Sequence, residues 1–198
     1  MYRAVIEDLI QWKQSANRKP LILQGARQVG KTWLMKEFGK TCYEDYVYLN
    51  FDEEESIKSV VEKNKDPHRI IELLSLLSGK KIFPEKTLII FDEVQECPSA
   101  LGALKYFMEK AREYHIIAAG SLLGTLLAQP KSYPVGKVNL LDLYPMTFSA
   151  YLCATDEALY SYYCSIEKDQ EIEEILLNSM HENHSSKSLQ PEIYGMIP

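Results

Sequence analysis

Residues 25–32 read Gly-Ala-Arg-Gln-Val-Gly-Lys-Thr and fit the spacing GxxxxGK[ST]. This pattern suits the capture of a polyphosphate. Glycines let the backbone curl until successive N–H groups point at phosphate oxygens, and a helix beginning near Lys31 adds its positive end. Gly25, Ala26, Arg27, Gln28, Val29 and Gly30 are the expected cradle. Lys31 would reach the outer phosphates as a point charge, and the Thr32 hydroxyl would ligate Mg²⁺. Arg27 either touches phosphate or faces solvent, and the purely structural alternative is a glycine turn before a helix.

A second stretch, LIIFDE at 88–93, ends an apolar run in two acids. Asp92 at a strand's carboxyl end could hold Mg²⁺ through its water shell, because this cation dehydrates reluctantly. Glu93 could orient a water or accept its proton. Alone, such a pair could equally cap a helix; about sixty residues after a phosphate loop it is the expected partner. Ser121 follows the run HIIAAG and could sense the terminal phosphate or align a water, or simply cap the helix of LLGTLLA. Lys137, in PVGKV, is a weaker candidate for phosphate contact.

The elements that must position these groups can be read from apolar spacing. Val5, Leu9 and Trp12 fall at i, i+4, i+7, which predicts a helix from Tyr2 to about Asn17. Pro20–Gln24 is a short run expected as a strand buried on both faces. Lys31–Phe38 is expected as a helix stopped by Gly39. YVYLNF at 46–51 alternates like a strand, and Glu53–Asn64 reads as helical. Another helix is expected from Asp66 as N-cap and Pro67 at its first position to Gly79 as its stop. Thr87–Phe91 and His115–Ala119 are buried strands around a helix, Pro98–Glu113, with Leu101, Leu104, Met108 and Ala111 on one face. Lys137–Leu143 is the last strand expected. This rhythm argues for a parallel sheet with helices on both faces. Past residue 150 the chain turns helical, tyrosine-rich and acidic, so the expected domains are 1–150 and 151–198.

Composition narrows the function. With 198 residues, 46% of them hydrophobic and 25% charged, the chain has the profile of an ordinary globular protein. No apolar run reaches the roughly 18–20 residues of a membrane span. Glu7 and Asp8 stand where an export signal needs an apolar core. Cys42, Cys97, Cys153 and Cys164 lack metal or framework spacing, so reduced thiols and a cytoplasmic location are expected. The net charge is −6, yet residues 1–40 carry eight basic and three acidic side chains, which leaves −11 for the other 158. A basic front on an acidic body points to one local anion site and gives no support to nucleic-acid binding. His181 and His184 lie in a polar stretch without a third ligand and read as a solvated helix end. Tyr160, Tyr162 and Tyr163 read as packing surface.

The blocks WKQSANRKPLILQGARQVGKTWL, LIIFDEVQECPSALGALKYF, HIIAAGSLLG and YPVGKVNLLDLYPMTF together resemble the prokaryotic AAA-type ATP-binding proteins. In that family an N-terminal P-loop domain precedes a C-terminal domain of unknown function. The resemblance spans about residues 2–152. It implies a P-loop fold with strand order 5-1-4-3-2, in which the strand at 115–119 separates the strand at 88–91 from the phosphate-loop strand. It makes Asp92 and Glu93 the Walker B pair and Ser121 the sensor position. The family's longer chains imply that this one is C-terminally truncated, and the missing domain or a protein partner would then receive the output.

Three functions are in contention. The first is a Mg²⁺-dependent ATPase that produces ADP and phosphate and couples this to conformational change. The second is a nucleotide-gated binding module with little turnover. The third is a phosphotransferase, disfavoured because only two arginines, Arg69 and Arg112, come after residue 30. GTP is disfavoured too: Asn64-Lys65-Asp66 falls one residue short of a guanine reader and reads as a helix cap.

Overall fold

A computed structural model describes residues 5–120 and 136–165. Ser121, His181 and His184 lie outside the described residues. The elements are α1 (Val5–Gln14), β1 (Leu21–Gln24), α2 (Lys31–Cys42), β2 (Asp45–Asn50), α3 (Glu55–Lys63), α4 (Pro67–Ser78), β3 (Thr87–Asp92), α5 (Pro98–Lys110), β4 (His115–Ala119), β5 (Asn139–Asp142), α6 (Phe148–Thr155) and α7 (Glu157–Ser165). They fall in two compact units, Met1–Met146 and Thr147–Pro198.

In the first unit five strands form one sheet in the order β2-β3-β4-β1-β5, and every neighbouring pair is parallel. Counted from the β5 edge this is the expected order 5-1-4-3-2, with β4 between β1 and β3. Because side chains of a strand alternate between faces, the inner strands β1, β3 and β4 feed two cores. Ile22, Leu49, Ile89, Phe91, Ile116 and Ala118 pack on one face with Ile57, Ile70, Leu74, Leu101 and Leu104 from α3, α4 and α5. Leu21, Leu23, Leu88, Ile90, Ile117 and Ala119 pack on the other with Leu9, Trp12, Leu34, Met35 and Phe38 from α1 and α2. The result is a three-layer sandwich whose inner strands β1, β3 and β4 are covered on both sides, which is why their runs read as continuously apolar.

Several boundaries obey local chemistry. Asp66 accepts from the His68 N–H at 3.3 Å, Pro67 opens α4, and Gly79 ends it in the left-handed region at φ 67°. Gly39 does not stop α2, which runs on to Cys42. Its role is close approach: a Cβ there would lie 2.8 Å from Tyr46 Cβ, so the missing side chain is what lets α2 lie against β2. On α5 the buried face includes Phe107, while Met108 is half-buried.

In the second unit Thr147 caps α6, its Oγ1 accepting from the Ala150 N–H at 3.2 Å. Asp156 starts α7, its Oδ1 accepting from the Leu159 N–H at 2.9 Å. Among the described residues no helix is long and apolar enough to cross a membrane. The four cysteines are free thiols.

Candidate functional site

In a parallel sheet the carboxyl ends of all strands share one edge, so the residues after β1 and those after β3 arrive at the same place. The β1–α2 connection, residues 25–30, curls through three unusual conformations: Gly25 at φ 151°, Gln28 at 64° and Gly30 at 88°. At Gly25 the requirement is steric as well, because a Cβ would sit 2.2 Å from the Leu143 carbonyl oxygen. Leu143 is held there by its own N–H, which donates to Gln24 O at 2.7 Å as the chain leaves β5. Gly30 then opens α2, accepting the Leu34 N–H at 3.0 Å. Ala26, Arg27 and Gln28 are exposed at the rim, whereas Lys31 is only 8% exposed.

Lys31 turns back over the loop, its Nζ donating to Gly25 O at 2.8 Å and Ala26 O at 2.6 Å. Burial lowers its pKa, and the Glu93 and Asp92 carboxylates oppose that shift. The ammonium thus stands in the loop's mouth, satisfied by carbonyls that an incoming phosphate oxygen can replace.

Asp92, at the end of β3, is 2% exposed. Its Oδ2 accepts from Thr32 Oγ1 at 2.6 Å and from the Tyr48 hydroxyl at 3.0 Å, and its Oδ1 from the Glu93 N–H at 3.1 Å. These bonds answer the general demand that a buried carboxylate be hydrogen-bonded. Glu93 adopts the left-handed conformation at φ 51° and opens a 3₁₀ turn over Val94–Glu96. Val94 and Cys97 anchor that turn with 0% exposure, and the Glu96 N–H donates to Glu93 O at 3.0 Å. Gln95 Nε2 then reaches back to Glu93 Oε2 at 2.5 Å, while Gln95 Oε1 is buried with no partner among the described residues.

The structure therefore gathers Lys31, Thr32, Asp92 and Glu93 at one edge of the sheet. Ser121 comes directly after β4 and Gly120 in sequence but lies outside the described residues. Lys137 does not join the site. It precedes β5, at the amino edge of a parallel sheet, and forms an ion pair with Glu109 at 3.0 Å. Arg18 and Lys19 precede β1 at that same edge and are engaged with backbone: Arg18 donates to Lys13 O at 3.0 Å, and Lys19 Nζ to Gly136 O at 2.7 Å.

Two residues at the site carry no motif of their own. Tyr48 is set by strand alternation within YVYLNF, but only sheet order says that β2 adjoins β3. Gln95 is two residues from Glu93, and the turn that folds it back depends on the left-handed Glu93.

A family profile described as an AAA domain matches residues 17–152. Among solved structures, the fold is similar to a Walker-type ATPase of Pyrococcus abyssi, with a TM-score of 0.54 and 18% identity over 90% of this chain and 61% of that one. It is also similar to PCH-2 of C. elegans, with a TM-score of 0.51 and 15% identity over 100% of this chain and 62% of that one. The chain thus spans about three fifths of the length of each, and both likenesses concern the fold. No curated protein sequence matches. The phosphate loop, the strand order and a profile covering well over half the residues agree: the chain belongs to the AAA domain family.

Proposed function

We propose that the chain binds Mg²⁺·ATP at Gly25–Thr32 and hydrolyses it to ADP and phosphate, and that the energy is expressed as conformational change in a protein partner or a further C-terminal domain. The observation that carries this reading is the convergence of Lys31, Thr32, Asp92 and Glu93 at one edge of the sheet. The solved Walker-type ATPase with the same fold supports it at the level of the fold.

A hydroxyl and a buried carboxylate 2.6 Å apart are an oxygen donor pair of the kind a hard cation takes, so Thr32 and Asp92 fit Mg²⁺. When bound, the cation neutralises negative charge on the β- and γ-phosphates. The loop N–H groups hold the phosphates, and Lys31 exchanges two backbone carbonyls for phosphate oxygens. Glu93 orients a water toward the γ-phosphorus and takes its proton as the bond to the β–γ bridging oxygen breaks. Gln95 restricts the Glu93 carboxylate to one direction. Ser121 is assigned the sensing of the γ-phosphate. Free thiols at all four cysteines suit a reducing compartment, so a cytoplasmic location is part of the proposal.

The test is phosphate release from Mg²⁺·ATP by wild type beside Lys31→Ala and Glu93→Gln. Lys31→Ala should lose nucleotide binding. Glu93→Gln should keep binding and lose about 10²–10⁴-fold in kcat, the range for removal of a general base. Normal turnover by Glu93→Gln would sink the hydrolytic assignment, and binding without release by wild type would leave a nucleotide-gated module in its place.

A further inference from the structure

The Tyr48 hydroxyl donates to Asp92 Oδ2 at 3.0 Å from the neighbouring strand β2. In register, Tyr48 lies opposite Ile90, two residues before Asp92, so its ring runs along the sheet toward the carboxyl edge. On the α2 side, Lys36 Nζ stands 3.5 Å from the centroid of that ring. Lys36 is four residues after Thr32, one helical turn along the same face. One face of α2 therefore supplies both a hydroxyl to Asp92 and the cation that steadies the second donor to it.

We propose that Tyr48, steadied by Lys36, is a positioning residue that sets how tightly Asp92 holds the Mg²⁺ of the bound nucleotide; this rests on the Mg²⁺·ATP reading above. Three donors from three elements fix the Asp92 carboxylate: Thr32, Tyr48 and the Glu93 N–H. Thr32 is itself an assigned ligand: a lone pair of its hydroxyl would face the cation while its O–H still donates to Asp92. Tyr48 is the side-chain donor that is not itself an assigned ligand, and it holds the carboxylate's orientation from the neighbouring strand. Groups that hold a metal's carboxylate ligand in this manner tune affinity for the metal. Packing alone does not account for a tyrosine here, since a phenylalanine would offer Lys36 and the neighbouring chain the same ring.

The experiment is Tyr48→Phe, with calorimetric titration of a β,γ-methylene analogue of ATP at graded free Mg²⁺ and in EDTA. The free Mg²⁺ giving half of the Mg²⁺-dependent gain in affinity should rise about tenfold, with affinity in EDTA unchanged. Lys36→Met should shift that midpoint in the same direction by a smaller factor. A Tyr48→Phe midpoint equal to that of a Mg²⁺-responsive wild type overturns the proposal alone. So does an equal loss of affinity with and without Mg²⁺, which would report disturbed folding. Wild-type binding that ignores Mg²⁺ would overturn the underlying reading as well, a distinguishable result.

Discussion

Thr32 Oγ1 donates to Asp92 Oδ2 at 2.6 Å although sixty residues separate them. This bond ties the first turn of α2 to the end of β3, and with it the phosphate loop to the acidic pair. It also places the two residues proposed to hold Mg²⁺ within one hydrogen bond of each other.

Thr32→Val keeps the branched shape and removes the donor. Asp92, at 2% exposure, then loses one of its three hydrogen bonds. Bonds to charged groups contribute about 1.5–3 kcal/mol, so the nucleotide-free protein should lose about that much stability. Urea denaturation should show a lower midpoint at an unchanged m-value.

Gln95→Leu separates stability from activity. The substitution deletes the bond to Glu93 and also removes the buried Oε1, which has no partner among the described residues and whose desolvation costs about 1–3 kcal/mol. Thermal stability should hold or rise while kcat falls and KM stays near wild type. A fall in both stability and nucleotide affinity would instead mean that Gln95 serves the fold.

Gly39→Ala should destabilise despite sitting inside a helix. Alanine improves helix propensity by about 1 kcal/mol. Its Cβ, however, would lie 2.8 Å from Tyr46 Cβ, an atom fixed to the β2 backbone that cannot swing away. Overpacking of this kind costs about 1–3 kcal/mol, so the net effect should be a loss of up to about 2 kcal/mol. Thermal unfolding with and without the substitution checks it.

His115 predicts part of the acid response. The ring is 3% exposed, pairs with the Tyr43 hydroxyl at 2.7 Å through Nδ1, and leaves Nε2 without a partner among the described residues. Burial, then the nearby Arg18 and Lys13 charges, push its pKa down to about 3 from the usual 6.5. Between these values the unfolded chain binds a proton that the folded one refuses. The contribution is therefore complete above pH 6.5 and is lost as pH falls toward 3, by at most about 1.4 kcal/mol per pH unit. His115→Gln should show a shallower decline than wild type across that window in denaturant midpoints measured from pH 7 to pH 4. Parallel curves would exclude a neutral, buried imidazole.

The phosphate loop was legible because its chemistry lies in eight consecutive residues, where spacing alone fixes which N–H groups and side chains can face one anion. Helix α4 was legible for the same reason: its cap, its first-turn proline and its glycine stop are local signals. Alternation of apolar runs with amphipathic ones likewise dictated a parallel sheet, since strands covered on both faces need helices between them. The order of the strands came from the family resemblance, because nothing within a strand names its neighbours.

Tertiary structure alone decided the rest. Gly39 looks like a helix stop in one dimension and is a contact point in three, because the space a side chain would need is occupied by Tyr46. Lys137 stands near the last strand in sequence but precedes it, and a parallel sheet places the residues before a strand at the edge opposite the site. Tyr48 reaches Asp92, and Lys36 reaches the Tyr48 ring, only because β2 pairs with β3 under α2. Local pattern determines what an element is and which way it faces; which elements become neighbours is set by packing across the whole sheet, and the hydrogen bonds that fix Asp92 depend on that choice.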